Sequence, residues 1–107
     1  MIEAGLFKGR HDLPVKNFIF GELSPCDFRR MDEVAVCWLM QHTQPGDVLH
    51  LYVTGLTAAT VAVIKACKIT GVGLVLMHFD RENGKYVPQD VLTPEGDACI
   101  GGQKPQD

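Results

Sequence analysis

The chain has 107 residues, of which 46% are hydrophobic, and a formal net charge of −3, a composition typical of one globular domain with its own core. An acidic balance argues against binding to duplex nucleic acid, which needs a basic face, but it permits a small anionic ligand held by a few local donors. There is no apolar run of about 18 residues to span a bilayer and no secretory signal at the start, so we expect a cytoplasmic protein without membrane contact.

The chain begins with two predicted strands. Met1–Phe7 and Val15–Phe20 are both rich in apolar, β-prone residues, and the polar loop 8–14 separates them. Gly21–Pro25 then turns the chain. These segments predict a β-β start to the fold.

A helix follows this turn. Ser24 is a good N-cap and Pro25 suits the first helical position, so we predict a helix that continues to about His42. Its apolar stripe has the spacing of three and four residues that one helix face requires, and it comprises Phe28, Met31, Ala35, Trp38 and His42. Val36 and Met40 lie off the stripe, which suggests a second surface such as a subunit contact.

The stretch 46–80 predicts a strand, a tight turn, a helix and a second strand. Val48–Val53 and Leu74–Phe79 are short apolar runs, and Ala58–Thr70 between them has the length and pattern of a helix. This order indicates a right-handed βαβ unit with parallel strands. The helix is apolar nearly all round and needs cover on two sides, so we expect a homodimer or a larger homo-oligomer.

The last part of the domain predicts a hairpin. Asn83-Gly84 is a strong turn signal, so a strand starting at Tyr86 should return antiparallel, with Pro88 marking an edge or an early end. The prediction is an α/β fold, a small Rossmann-like domain in three layers with a mixed sheet of about five strands and two main helices, in the order β-β-α-β-α-β-β. Residues 1–92 form this single domain, and 93–107 form a flexible tail.

Two turns follow strands at the carboxyl edge of this sheet, where open α/β sheets bind ligands. The first joins a strand to a helix N-terminus, where hydroxyls, free amides and a glycine favour a phosphate, and it consists of Thr54, Gly55, Leu56 and Thr57. The second holds His78, an acid/base candidate, with Asp80 and Arg81 as ligand-binding candidates. An ordinary N-capped turn and a surface ion pair explain the same residues without a ligand.

Arg10 and His11 form a second concentration of reactive side chains. Arginine can hold a phosphate in a fork and histidine can move a proton near neutral pH, so both are catalytic candidates beside His78. If the first two strands formed a hairpin, this loop would lie at the opposite edge of the sheet. It would then reach the crevice only through a non-hairpin connection or from a partner subunit, and a plain surface loop is the alternative.

The four cysteines do not suggest a metal site. Cys26, Cys37, Cys67 and Cys99 are widely spaced and form no C-x-x-C pair, so we expect reduced cysteines that serve as small core residues. There is no carboxylate cluster, Walker A loop or G-x-G-x-x-G motif, so no metal and no cofactor is predicted.

The segment Gly46–Asp80, with its strand, Thr-Gly-Leu-Thr turn, helix and strand, resembles the nucleotide-binding half of CARF-type domains. It is also similar to the small CRISPR accessory proteins grouped with ring nucleases, with a looser echo in Arg10-His11 and in Pro45-Gly46-Asp47-Val48. Those proteins share a Rossmann-like core, dimerise and bind cyclic oligoadenylates in antiviral defence. The resemblance implies a cyclic oligoadenylate ligand whose phosphates contact Thr54, Gly55 and Thr57.

A metal-independent ring nuclease is the activity that the resemblance implies. A ribose 2′-hydroxyl would attack the adjacent phosphate, His11 or His78 would assist proton transfer, and Arg10 or Arg81 would stabilise the developing charge. Two other classes of protein fit the same sequence. A nucleotide sponge or sensor needs the phosphate cradle but no acid/base pair, and a phage or mobile-element interaction protein needs neither.

Overall fold

The computed structural model describes residues 1–8 and 13–94. Within them the chain forms five strands and two helices in the predicted order. The elements are β1 (Ile2–Phe7), β2 (Phe18–Phe20), α1 (Phe28–His42), β3 (Val48–Tyr52), α2 (Thr57–Thr70), β4 (Gly73–Asp80) and β5 (Lys85–Leu92). The prediction of an α/β domain with a five-stranded mixed sheet and two helices is confirmed.

The strands form one sheet in the order β2-β1-β3-β4-β5. β1, β2, β3 and β4 are all parallel, and β5 runs antiparallel beside β4. The first two strands therefore do not form a hairpin, and Gly5 and Phe7 pair in parallel register with Phe18 and Phe20. As a consequence, β1 ends at the same edge of the sheet as β3 and β4.

Both helices lie on one face of the sheet, where they pack against each other. α1 leads from β2 to β3 and α2 from β3 to β4, and right-handed crossovers taken in the same direction fall on the same side. The predicted third layer is therefore wrong, because the connection between β1 and β2 supplies no described helix for the other face. On that face a Cβ added to Gly5 would lie 2.8 Å from the ring of Phe18 and 2.9 Å from Leu13.

The core fills the space between the helices and the covered face of the sheet. Leu49 and Leu51 of β3 pair with Leu74 and Leu76 of β4, and alternation puts all four side chains on the helix side. Three of these leucines are fully buried, together with Leu6 of β1 and with Met31 and Leu39 of α1. This packing fixes the strand ends that carry the candidate site.

The element boundaries differ from the prediction at three main places. β2 covers only Phe18–Phe20 of the predicted strand Val15–Phe20. α1 begins at Phe28, because Asp27 is the N-cap and accepts a hydrogen bond from the Arg30 amide at 3.2 Å, while Ser24 and Pro25 lie in the turn before it. β5 continues through Pro88 to Leu92. An edge strand tolerates the missing N–H of proline, so Pro88 marks the edge and not the end. The predicted tail lies outside the described residues from position 95 onward.

Candidate functional site

The strand ends of β3 and β4 bring the two predicted turns together. The Val53 amide donates to the Met77 carbonyl at 3.1 Å, so the two strands remain paired up to their carboxyl ends. The turn Thr54–Thr57 therefore lies beside the residues that end β4. The expectation that these two turns face each other is confirmed.

A cleft of about 490 Å³ opens between them, within the range of small-molecule sites. We call it the β3–β4 cleft, and it is lined by Val53, Thr54, Gly55, His78, Phe79, Arg81 and Tyr86. It therefore brings together two predicted site residues of the first turn, Thr54 and Gly55, and two of the second, His78 and Arg81. Asp80, Leu56 and Thr57 do not line it.

Thr54 has an unusual environment in this cleft. Its side chain is buried, with 9% of the residue exposed, and its hydroxyl oxygen has no hydrogen-bond partner among the described residues. Most buried polar groups are hydrogen-bonded, so an unpaired hydroxyl in a residue that lines a cleft makes Thr54 a candidate for a ligand contact. The hydroxyl can donate to an anion.

The N-terminus of α2 adds further donors beside Thr54. Its N-cap is Leu56, which offers no side-chain acceptor, whereas Asp27 caps α1. The first amides of a helix have no partner within the helix and carry the positive end of its dipole. Thr57, the first residue of α2, is exposed at this end and does not cap the helix.

Gly55 gives the turn its shape and its openness. Its φ of +58° lies in the left-handed region, and no atom lies within 4 Å of the position that a Cβ would occupy. The Leu56 amide donates back to the Thr54 carbonyl at 2.7 Å, which closes the turn tightly. A ligand can therefore approach the backbone of this turn without obstruction.

His78 is oriented by its neighbour on β5. Its Nε2 atom lies 2.7 Å from Oε1 of Gln89. When that oxygen accepts, Nε2 carries the proton and Nδ1 is left as an acceptor, which is the state that a general base needs. Arg81 lines the same cleft and is exposed.

Asp80 belongs to the hairpin turn. Its carboxylate accepts from the Asn83 side-chain amide at 2.6 Å and from the Glu82 backbone amide at 3.0 Å. The bond from Asn83 is the main reason that the pKa of this carboxyl lies below its usual range, despite a smaller opposing effect of desolvation. Because both oxygens serve the turn, Asp80 shapes the hairpin, and its contact with a ligand stays a prediction.

Aromatic rings form the far wall of the β3–β4 cleft. Tyr86 meets Phe79 edge to face with ring centroids 5.3 Å apart, and Tyr52 packs behind it at 4.8 Å. Burial, and then the charge of Glu3, raises the pKa of the Tyr52 phenol, which donates to that carboxylate at 3.4 Å. The sequence reasoning missed Tyr86 as a site residue. Tyr86 pairs with Phe79 because the turn comprises the four residues 81–84, whereas counting outward from a two-residue Asn83-Gly84 turn would have paired it with Arg81.

A second cleft lies on the other side of the Thr54–Thr57 turn. This β1 cleft measures about 630 Å³ and is lined by Phe7, Lys8, Phe20, Gly21, Glu22, Leu23, Ser24, Pro25 and Leu56. Phe7 and Phe20 stack within it at a centroid distance of 5.2 Å. It lies beyond the carboxyl ends of β1 and β2 and reaches Leu56 after β3, so it borders the switch point between β1 and β3 at which sheets with strand order 2-1-3-4-5 bind ligands.

Arg10 and His11 lie outside the described residues, and their roles stay predictions. The geometric objection to them no longer applies, because β1 and β2 are parallel and Lys8, at the start of the connection, lines the β1 cleft. Of the cysteines, Cys26 and Cys37 are exposed, so the prediction of core positions is wrong for them. Cys67 is buried, and burial raises the pKa of its thiol to about 12.

The chain matches no family model, no curated protein and no solved structure. Over residues 1–8 and 13–94, no three His, Cys, Asp or Glu side chains lie close enough together to hold a metal ion. Neither α1 nor α2 has the length and apolar character required to cross a membrane. The function must therefore be argued from the site itself.

Proposed function

We propose that this protein binds a small phosphate-bearing nucleotide at the carboxyl edge of its sheet. One observation carries the proposal: the buried hydroxyl of Thr54 lies beside the N-terminus of α2 and has no hydrogen-bond partner among residues 1–8 and 13–94. A phosphate oxygen over this turn accepts from the hydroxyl and from the first amides of the helix. Arg81, on the opposite side of the cleft, supplies the positive charge and a second set of donors.

The two clefts support a ligand with more than one base. One lies on each side of the Thr54–Thr57 turn, and each has an aromatic wall, formed by Phe79 and Tyr86 in one and by Phe7, stacked on the buried Phe20, in the other. Nucleobases stack on such rings. A cyclic oligoadenylate, which the resemblance of residues 46–80 implies, is the specific ligand that we propose.

Ring opening without a metal is the reaction that we propose for this ligand. The ribose 2′-oxygen forms a bond to the adjacent phosphorus, and the bond from phosphorus to the 5′-oxygen breaks. The 2′-hydroxyl proton passes to His78 Nδ1, and the 5′-oxygen leaves with a proton from solvent. Arg81 stabilises the charge that develops on the phosphate. The products are a 2′,3′-cyclic phosphate end and a 5′-hydroxyl end.

A sponge or sensor that binds without turnover is the second candidate. One observation favours it. Asp80 stands in the chain between the lining residues Phe79 and Arg81, but both of its carboxylate oxygens accept hydrogen bonds within the hairpin turn. The cleft then has His78 as its one described imidazole and no carboxyl group to act as a general acid. Binding needs only the proposed phosphate site at the Thr54–Thr57 turn, which both candidate functions share.

Incubation of the purified full chain with cyclic oligoadenylates, in the presence of a chelator, tests both candidates. Chromatography of the reaction separates linear from cyclic species, and denaturing the protein releases whatever ligand stays bound. We expect linear products from the wild type, bound but intact ligand from His78→Ala, and weak binding from Thr54→Val. Intact ligand recovered from the wild type supports the sponge. If the protein neither binds nor cleaves the ligand, the nucleotide proposal fails and an interaction protein is the interpretation that remains.

We also propose that the protein acts as a homodimer. α2 needs cover on two sides, and the sheet and α1 leave Val61 and Ile69 exposed. On α1, Met40 is exposed as well. In the proposed dimer, a second copy of the chain covers these exposed side chains.

A further inference from the structure

The outer surface of the two helices carries a patch of large apolar side chains. We define this helix-layer patch as Phe28, Val36, Met40, Val61 and Ile69. Four of them are strongly exposed, Phe28 at 58%, Met40 at 70%, Val61 at 47% and Ile69 at 71%. Single exposed apolar residues are ordinary, but several on two adjacent helices indicate an interaction surface.

The members of the patch adjoin along the seam between the helices. Val36 and Met40 of α1 and Ile69 of α2 line one groove of about 450 Å³. Further along the seam, Lys65 Nζ lies 2.6 Å from the Asp32 carboxylate, so an ion pair joins the helices. Both charged side chains remain partly accessible, Lys65 more than Asp32, and the pair bridges the same two helices as the groove.

The ion pair has an apolar residue one turn away on each side. Along α1, Phe28 and Val36 stand four residues before and after Asp32, and along α2, Val61 and Ile69 stand four residues before and after Lys65. Four residues of helix rise about 6 Å, so the order along the seam is apolar, charged, apolar. The two helices are parallel to each other, because each leads from one parallel strand to the next.

This order is self-complementary under a two-fold rotation about an axis that runs along the seam within the interface. The rotation lays α1 of one copy over α2 of the other, so the apolar residues before the ion pair face those before it in the second copy, and those after it face those after it. It also sets Asp32 against Lys65 of the partner subunit and Lys65 against Asp32 of the partner subunit. We propose that a second copy of this chain covers the helix-layer patch in an isologous interface. This names the surface of the homodimer proposed above, on which it rests.

The uncovered face of the sheet suits a second copy less well. Glu3, His50, Val75 and Asp90 stand in one row across it. Two of these four side chains are carboxylates, and an interface there would desolvate both. The helix layer presents one charge of each sign at its centre, and Glu33 of α1 pairs with Arg29 and Arg30.

Sedimentation of the full chain over a wide concentration range tests the assembly and its surface separately. We expect a dimer, with Met40→Asp and Ile69→Asp each raising the dissociation constant by about a hundredfold, because each change occurs twice in a two-fold interface. Val87→Asp, at an exposed apolar position on β5, is the matched control and should leave the dimer intact. A monomeric wild type would overturn both the dimer and its surface. A dimer that survives both patch variants would overturn the surface alone.

Charge variants supply a test that folding defects do not mimic. Asp32→Lys gives a chain with two lysines at the ion pair, and Lys65→Asp gives a chain with two aspartates. Each repels a copy of itself, but the two kinds of chain complement each other across the proposed axis. We expect mixed dimers to form from the two variants in preference to either homodimer, as read by native mass spectrometry. Mixed and unmixed dimers in statistical proportions would contradict the arrangement.

Discussion

Thr54→Val should stabilise the protein without ligand and weaken its binding of ligand. Valine has nearly the shape of threonine but replaces the hydroxyl with a methyl group. The Thr54 hydroxyl is buried without a partner among the described residues, and such a group costs about 1–3 kcal/mol of folding free energy. Removing it should raise the free energy of unfolding by about 1 kcal/mol. For a domain of this size, that shift moves Tm up by about 4–8 °C.

The matched control is Thr70→Val, at the last residue of α2. The Thr70 hydroxyl donates to the Ala66 carbonyl at 2.8 Å and is half-buried, so its removal relieves no unpaired group. We expect no gain in stability from this control. Chemical denaturation of both variants measures the difference. A loss of about 1 kcal/mol or more in Thr54→Val would show that the hydroxyl is satisfied within the protein, and the argument for the anion site would fail.

Thr54→Val should weaken ligand binding, although it stabilises the protein without ligand. A hydrogen bond from a hydroxyl to a charged phosphate contributes about 1.5–3 kcal/mol, which corresponds to a loss of affinity of about 10- to 100-fold. Thr54→Ser keeps the hydroxyl and should keep most of the affinity. Isothermal titration with a cyclic oligoadenylate compares the three proteins. Equal affinities for wild type and Thr54→Val would refute the proposed phosphate contact.

Three further predictions concern the rest of the fold. Gly55→Ala should lower the free energy of unfolding by about 1 kcal/mol through its φ of +58° alone, since the Cβ meets no atom, and Gly55→Asn should lower it less. Asp27→Ala should cost about 1 kcal/mol by removing the cap of α1, and a change near zero in urea unfolding would argue against that cap. Cys67 stays protonated in the folded state while its unfolded thiol ionises, so the free energy of unfolding should fall as pH rises from 9.0, the ordinary pKa of a cysteine thiol, towards about 12. Cys67→Ala should lose this part of the pH dependence, and parallel stability profiles for the two proteins above pH 9.0 would contradict the raised pKa.

The βαβ unit and the hairpin were predictable because their signals are local. Apolar runs of strand length flank a helical pattern that ends at Gly71, whose φ of +76° is the left-handed conformation of a helix C-cap. Asn83-Gly84 likewise specifies a turn by itself. The strands β3, β4 and β5 therefore follow from the sequence in order and direction.

The pairing of β1 with β2 depends on distant contacts and could not be predicted in the same way. In the parallel pairing, Leu13 and Phe18 pack over Gly5, and no local sequence pattern specifies this contact. The start of α1 was ambiguous for a different reason. Ser24 and Asp27 are both good N-caps, and only the bond from the Arg30 amide distinguishes them.

The candidate site was half predictable. The Thr54–Thr57 turn follows from its position at a strand end before a helix, and so does its proximity to His78. The aromatic wall needed the strand register, because Tyr86 is five residues from Arg81 in sequence but returns to Phe79 only through the hairpin. The β1 cleft needed the parallel pairing of the first two strands, which turns Lys8 toward the same edge.

A backbone amide titration tests the central claim most directly. The ¹⁵N-labelled full chain would be titrated with a cyclic oligoadenylate in the absence of metal, with the resonances assigned. We expect the amides of Gly55, Thr57 and Ala58 to shift together and to saturate, since they border the proposed phosphate. Amides around Arg81 should follow the same binding curve. Saturable shifts confined to other parts of the chain, or no shifts at any concentration, would contradict a phosphate site at the N-terminus of α2.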